Sequence, residues 1–208
     1  LTGKNWDELL LLAHTEKTKA FDAYSRYYLT TNGQIYWSDL HQMSYYNPDY
    51  ADYLKTAAPQ IPDGTLMITE LYVPRAKLPD FIEKVRSDAR TQGMNVIYGT
   101  VRLIEKDDES FLPWAKENYA CIIFNLRIDK DGLEKAKEDF RSLIDSALGF
   151  GGSYYLTYHR WARKDQVLAA YPQFPEFLKL KLRYDPQERF QSEWYRHYKA
   201  MFSEDISS

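Results

Sequence analysis

Apolar residues recur along this chain with two periods, and the changes between them mark out its elements. Residues 65–73 (TLMITELYV) read as a strand stopped by Pro74. Leu78, Phe81, Ile82, Val85 and Ala89 follow at i, i+3, i+4, i+7 and i+11, one face of a helix that Gly93 ends. Residues 96–104 (VIYGTVRLI) and 119–128 (YACIIFNLRI) read as two further strands. Leu133, Ala136, Phe140, Leu143, Ile144 and Ala147 form a second helical stripe, closed by Gly149, Gly151 and Gly152. Residues 153–158 (SYYLTY) supply a last strand. The order strand, helix, strand, strand, helix, strand predicts an α+β fold: a ferredoxin-like antiparallel sheet with both helices on one face, plus a helical C-terminal tail.

The flanks read differently. Residues 5–23 predict one helix capped by Asn5. Asn32-Gly33 marks a turn, residues 34–46 read as extended, and Asn47-Pro48 opens a short helix over 49–54. Two prolines and a glycine in 58–64 (APQIPDG) read as a linker. The expected organisation is therefore a lead-in over 1–60, the sheet domain over 61–160 and a tail over 161–208. In the tail, residues 176–182 are helical. Asp185-Pro186-Gln187-Glu188 resembles a helix start, with Phe190, Trp194, Tyr198 and Met201 on one stripe behind it. Docking on another body and packing on its own domain both remain open for this tail.

Strand alternation assigns faces. Ile97, Val101 and Leu103 are expected to pack on the helices, leaving Val96, Tyr98, Thr100 and Arg102 on the second face. In the next strand Ala120, Ile122, Phe124 and Leu126 suit the core, leaving Tyr119, Cys121, Ile123, Asn125 and Arg127 on this second face, which is expected to be open and to meet water, a ligand or another domain. A slip of one residue would reverse either assignment.

Composition narrows the function classes. A formal charge of −3 and a pI of about 5.9 give no electrostatic footprint for nucleic acid or an anionic membrane. The apolar run 9–13 is far short of a membrane span. One cysteine excludes an internal disulfide and fits a reducing compartment, so a cytoplasmic setting is expected. Tyrosine is unusually abundant, 18 residues, a composition suited to surfaces that meet a ligand or another domain. No phosphate-binding glycine loop, zinc-protease signature, nucleophile elbow or paired-cysteine motif is present, and the four histidines are scattered, so no metal site is expected. Lys106-Asp107-Asp108-Glu109 reads as a solvated loop. Arg102, between apolar neighbours, calls for an anionic partner.

Four segments then carry a resemblance: ITELYVPR (68–75), YGTVRLIEKDDESFLPWA (98–115), GGSYYLTYHR (151–160) and LKLRYDPQERFQSEWYR (180–196). In this order and spacing, over residues 65–200, the chain resembles the C-terminal half of FAD-linked oxidases of the vanillyl-alcohol oxidase / p-cresol methylhydroxylase superfamily. Within it the chain is similar to alditol and sugar-lactone oxidases and to decaprenylphosphoryl-ribose oxidase. The resemblance implies a substrate-binding cap whose sheet roofs the flavin, the chain's own N-terminal FAD-binding domain as partner, and oxidation of an alcohol or sugar-like CH–OH group. It implies catalytic roles for Arg102, Tyr158 and His159, with His159 as the natural general base. Substrate contacts are implied for Tyr98, Thr100, Tyr119, Cys121, Asn125 and Tyr155, and a cofactor contact for Arg183. Thr100 stands where sugar-alcohol oxidases carry an acidic residue, and Arg183 where relatives often have Lys. Cys121 reads equally as a buried core thiol. No FAD pyrophosphate loop occurs in these 208 residues, so the chain alone is expected to be inactive and free of flavin. The competing expectation is a free-standing ferredoxin-like module that binds a small molecule, with a second copy of the chain as partner.

Overall fold

A computed structural model describes residues 1–35 and 50–206. The extended reading of 34–46 beyond Ile35, and the Asn47-Pro48 helix start, lie outside them. The chain divides into two compact units, Leu1–Thr65 and Leu66–Ser208.

In the first unit, the single expected helix is two: α1 (Gly3–Thr15) and α2 (Lys17–Thr30). The break falls at Glu16, whose backbone (φ −143°, ψ 66°) is not helical. The cap is Thr2. Its hydroxyl accepts from the Asn5 amide at 3.3 Å, while Asn5 Oδ1 accepts from the Thr2 amide at 2.9 Å. Asn5 thus closes a capping box as its third helical residue instead of capping the helix itself. A short helix, α3 (Tyr50–Ala57), follows.

The second unit is α+β, with a four-stranded antiparallel sheet ordered β2-β3-β1-β4. The strands are β1 (Gly64–Pro74), β2 (Val96–Ile104), β3 (Tyr119–Asp129) and β4 (Ser153–Tyr154). Helices α4 (Leu78–Gln92) and α5 (Leu133–Gly149) cross over between strands, and the order is that of the ferredoxin-like arrangement. Gly93 ends α4 in the left-handed region (φ 65°), where a side chain would be strained. Leu71 and Val73 of β1 and Ala120, Ile122, Phe124, Leu126 and Ile128 of β3 share one core with Phe81 and Val85 of α4 and Phe140, Leu143 and Ile144 of α5. The strongest close approach is at Gly152: a Cβ there would lie 1.9 Å from the Tyr72 carbonyl oxygen.

Three strand expectations are corrected. The β2–β3 register shifts between Val96 and Tyr98, so Val96 pairs with Leu126 and joins the helix-side core, opposite to its expected face. A bulge at Ile97 inserts one residue and inverts the alternation on one side of it only. Val101 and Leu103 sit on the helix face as expected but are 51% and 66% exposed, because β2 is the sheet edge. The last strand has two residues instead of six, and after Tyr154 the chain leaves the ladder in a turn.

The tail belongs to the second unit. Helices α6 (Lys164–Ala170), α7 (Phe174–Tyr184), α8 (Glu193–Met201) and α9 (Ser203–Ile206) extend the helix-side core through Val167, Phe174, Leu178, Tyr195, Tyr198 and Phe202. Asp185 does not start a helix. It ends α7, pairs with Lys181 and accepts from the amides of Arg189 and Phe190 at 2.9 and 3.0 Å. The next helix starts at Ser192, whose hydroxyl caps Tyr195. Phe190 is left out of the expected stripe and is exposed. No helix among the described residues is long and apolar enough to cross a membrane.

Candidate functional site

The sheet face away from α4 and α5 carries a second, smaller core: Tyr72, Ala115, Tyr119 and Cys121, with Ile104, Ile123 and Tyr155 against it. Strand alternation places Glu70 and Tyr72 of β1 here, opposite Leu71 and Val73. Because β1 is a central strand, covered on both sides, residues 69–73 are all buried. Glu70 is therefore a carboxylate only 6% exposed. Its Oε1 accepts from the Tyr72 hydroxyl at 2.7 Å and from the Cys121 thiol at 3.2 Å. Burying a charge is costly unless hydrogen bonds compensate, and these two donors supply that compensation.

The donors stay protonated at neutral pH. Burial first, then the Glu70 charge, push the Cys121 thiol up, with Arg102 opposing. Burial and the bond to Glu70 raise Tyr72. Burial and Glu70 also raise Tyr158, which is 41% exposed and connects the cluster to solvent. Cys121 is thus a hydrogen-bond donor, and its thiolate is suppressed.

An aromatic wall surrounds the carboxylate. Tyr72 stacks on Tyr119 at 6.2 Å, Trp114 meets Tyr72 edge-on at 5.6 Å and Tyr155 at 6.3 Å, and Tyr155 meets Tyr158 at 4.8 Å. Trp114 is held by the β2–β3 loop, 105–118, which folds on its own hydrogen bonds. Asp107 Oδ1 accepts from the amides of Glu109 and Ser110, Asn118 Oδ1 from that of Lys106, and Ala115 O from that of Asp107. Arg75 ties the strand ends beside it, donating to Ile104 O and Tyr119 O and pairing with Glu105.

Most of the residues expected at the site are on this face. Arg102 pairs across the sheet with Cys121, Thr100 with Ile123 and Tyr98 with Asn125. Asn125 is buried, and among the described residues its Oδ1 has no hydrogen-bond partner. Tyr155 is anchored by its amide to Glu70 O at 2.9 Å. Two residues lie elsewhere. His159 is buried on the helix side, 4.6 Å from the ring of Phe140 and stacked on Trp161 at 5.3 Å, with Nε2 3.4 Å from Thr69 Oγ1. Burial lowers its pKa to about 4. It reaches no group of the cluster. Arg183 is exposed at the end of α7, over Tyr184 at 5.9 Å.

Sequence reasoning passed over Glu70, Tyr72 and Trp114. A charge inside the apolar run ITELYV was the available signal for the first. Among the described residues no group of three or more His, Cys, Asp or Glu side chains could hold a metal ion. The Gly149–Gly152 turn follows the C-terminal end of α5, which presents carbonyls and not the amides a pyrophosphate needs. No protein-family model and no curated protein matches this sequence.

Proposed function

We propose that this chain is the substrate-facing part of an oxidoreductase acting on a CH–OH group, with FAD held by another domain. The observation that carries this reading is Glu70, a buried carboxylate on a sheet face among hydroxyl, thiol and aromatic groups. Alcohol oxidation needs a proton acceptor beside the hydroxyl, in a place where water is excluded. The flavin, when bound, supplies the hydride acceptor. This chain's residues do the rest. Tyr155, Tyr158 and Trp114 form the wall against which the substrate carbon skeleton lies. Glu70 takes the hydroxyl proton, directly or through the Tyr158 hydroxyl, as the C–H hydride leaves and the carbonyl forms. Tyr72 and Cys121 hold the Glu70 side chain in place and have no covalent part. His159, separated from this face by the sheet, has no role in the step. The resemblance of the four segments to FAD-linked oxidases supports the same reading.

The test uses the complete product of the gene. Anaerobic flavin reduction by a panel of alcohols is followed in the visible bands. Glu70→Gln keeps the shape and hydrogen-bonding capacity of the side chain but not its basicity, and is expected to slow reduction by about 100-fold or more, the range of a lost general base. Unchanged reduction in this variant would refute the assignment. A product without flavin that still binds small molecules would instead favour a free-standing binding module.

A further inference from the structure

We infer that two copies of this chain join edge to edge through β2, so that the sheet of one copy continues into the other, independently of the chemistry at Glu70.

β2 is the outer strand of the sheet, and no strand among the described residues pairs on its free side. In an antiparallel ladder alternate residues turn their N–H and C=O away from the neighbouring strand, so that side offers a row of donors and acceptors. Proteins usually shield such an edge with proline, lysine, a bulge or a covering loop. The bulge at Ile97 interrupts only the start of β2, and from Tyr98 to Ile104 the register with β3 is regular. This stretch contains no proline and no lysine, and Arg102 is its single charge. Val101 and Leu103 are exposed in it, although they pair with the core residues Ile122 and Ala120.

The occupant that fits this edge is a second β2. Val101 is the midpoint of the regular stretch, so a two-fold axis through it pairs every residue from Tyr98 to Ile104, and an axis at any other residue pairs fewer. An axis normal to the sheet also keeps each face on its own side. Val101 then meets Val101 of the other copy, and Leu103 meets Gly99. Gly99 leaves a notch beside Phe124, whose ring has an atom 3.3 Å from where a Cβ would stand, so the leucine closes on an aromatic ring. On the second face Tyr98 meets Ile104, and Arg102 meets Thr100, so no like charges stand opposite each other. An axis one residue further, at Arg102, would oppose the two guanidiniums. The axis at Val101 places both Glu70 clusters on the same side of a continuous sheet.

Sedimentation velocity of the complete gene product over a concentration series measures the association. A single strand pair is a small interface, so a reversible dimer with a Kd of about 1–100 μM is expected. Val101→Lys sets two like charges on the axis and should weaken the dimer at least about tenfold. The position is exposed, so its thermal melt should match that of the unaltered protein. Val101→Cys gives a readout that does not depend on the lysine variant. With oxidised glutathione as oxidant it should form a disulfide between copies, because directly opposed Cα atoms lie about 4.5–5.5 Å apart. Leu103→Cys should cross-link far more slowly, since it faces Gly99 and not its own equivalent. The native Cys121 is buried and takes no part. A product that stays monomeric up to about 1 mM would overturn the dimer. So would a dimer that Val101→Lys leaves intact, or equal cross-linking of the two cysteine variants.

Discussion

Acidification should destabilise this protein through His159 before the carboxylates take part. The side chain is buried against Phe140 and Trp161, its Nδ1 has no hydrogen-bond partner among the described residues, and burial lowers its pKa from 6.5 to about 4. Between these values the folded state binds fewer protons than the unfolded one. The contribution is therefore fully present above about pH 6.5 and is lost as the pH falls toward 4. The whole interval corresponds to about 3 kcal/mol, and about 2 kcal/mol of it is lost by pH 5. That is a sizeable part of the stability of an ordinary domain. Urea unfolding at pH 7.5, 6 and 5 measures the loss, and His159→Leu should remove it. Burial also lowers His197, with the Arg160 charge adding to it, so His197 contributes a slope of the same sign. That slope is common to both proteins, and their difference isolates His159. The ring resonances of His159 in the unaltered protein give a second readout that does not depend on the variant folding. A titration midpoint near 6.5, or parallel pH profiles for the two proteins, would refute the burial argument.

Gly152→Ala places a Cβ 1.9 Å from the Tyr72 carbonyl and 2.8 Å from that of Ala147, both backbone atoms that cannot swing away. It should cost about 3 kcal/mol or more and lower Tm by about 10 °C in a thermal melt; a melt within a degree or two of the unaltered chain would contradict the packing at the β1–β4 junction. Cys121, 1% exposed with its thiol pKa raised, should resist a disulfide reagent in the native protein and react fully in denaturant. Rapid native labelling would mean that the second core opens readily. Tyr195 donates to Glu188, which also holds Lys199, and Glu188 sits at a positive φ of 49°. Glu188→Gly removes both partners and relieves the backbone, so a net loss in Tm would show that the side-chain contacts outweigh the strain.

The elements themselves were largely legible, because hydrophobic period and helix-ending glycines are local properties. The stripe from Leu78 to Ala89, the stripe from Leu133 to Ala147 and the pleat of residues 119–128 each specify an element and a face without reference to the rest of the chain. The same local logic placed Arg102, Tyr119, Cys121 and Asn125 on one face. It failed where one residue of backbone mattered: the bulge at Ile97 reversed Val96, and the break at Glu16 divided a helix whose stripe looked continuous. Asp185 carried the residue types of a helix start, yet its carboxylate was taken by Lys181 and two amides of the following turn.

What the sequence by itself determined, then, was which residues alternate, which stripes are apolar and which charges interrupt them. Only the tertiary structure decided what each of those residues meets. Cys121 is on the second face and yet buried, because Ala115 and Trp114 are brought over that face by a loop that opens on the solvated stretch 106–109. His159 follows two tyrosines of the second face but turns to the other side of the sheet, because β4 ends after Tyr154 and the alternation with it. Glu70 becomes the centre of the cluster through donors 2 and 51 positions away in the chain. A period of two or of 3.6 reports on neighbours a turn or a pleat apart. The partner of a buried charge is chosen by strand order and loop closure, which join positions that no local pattern connects.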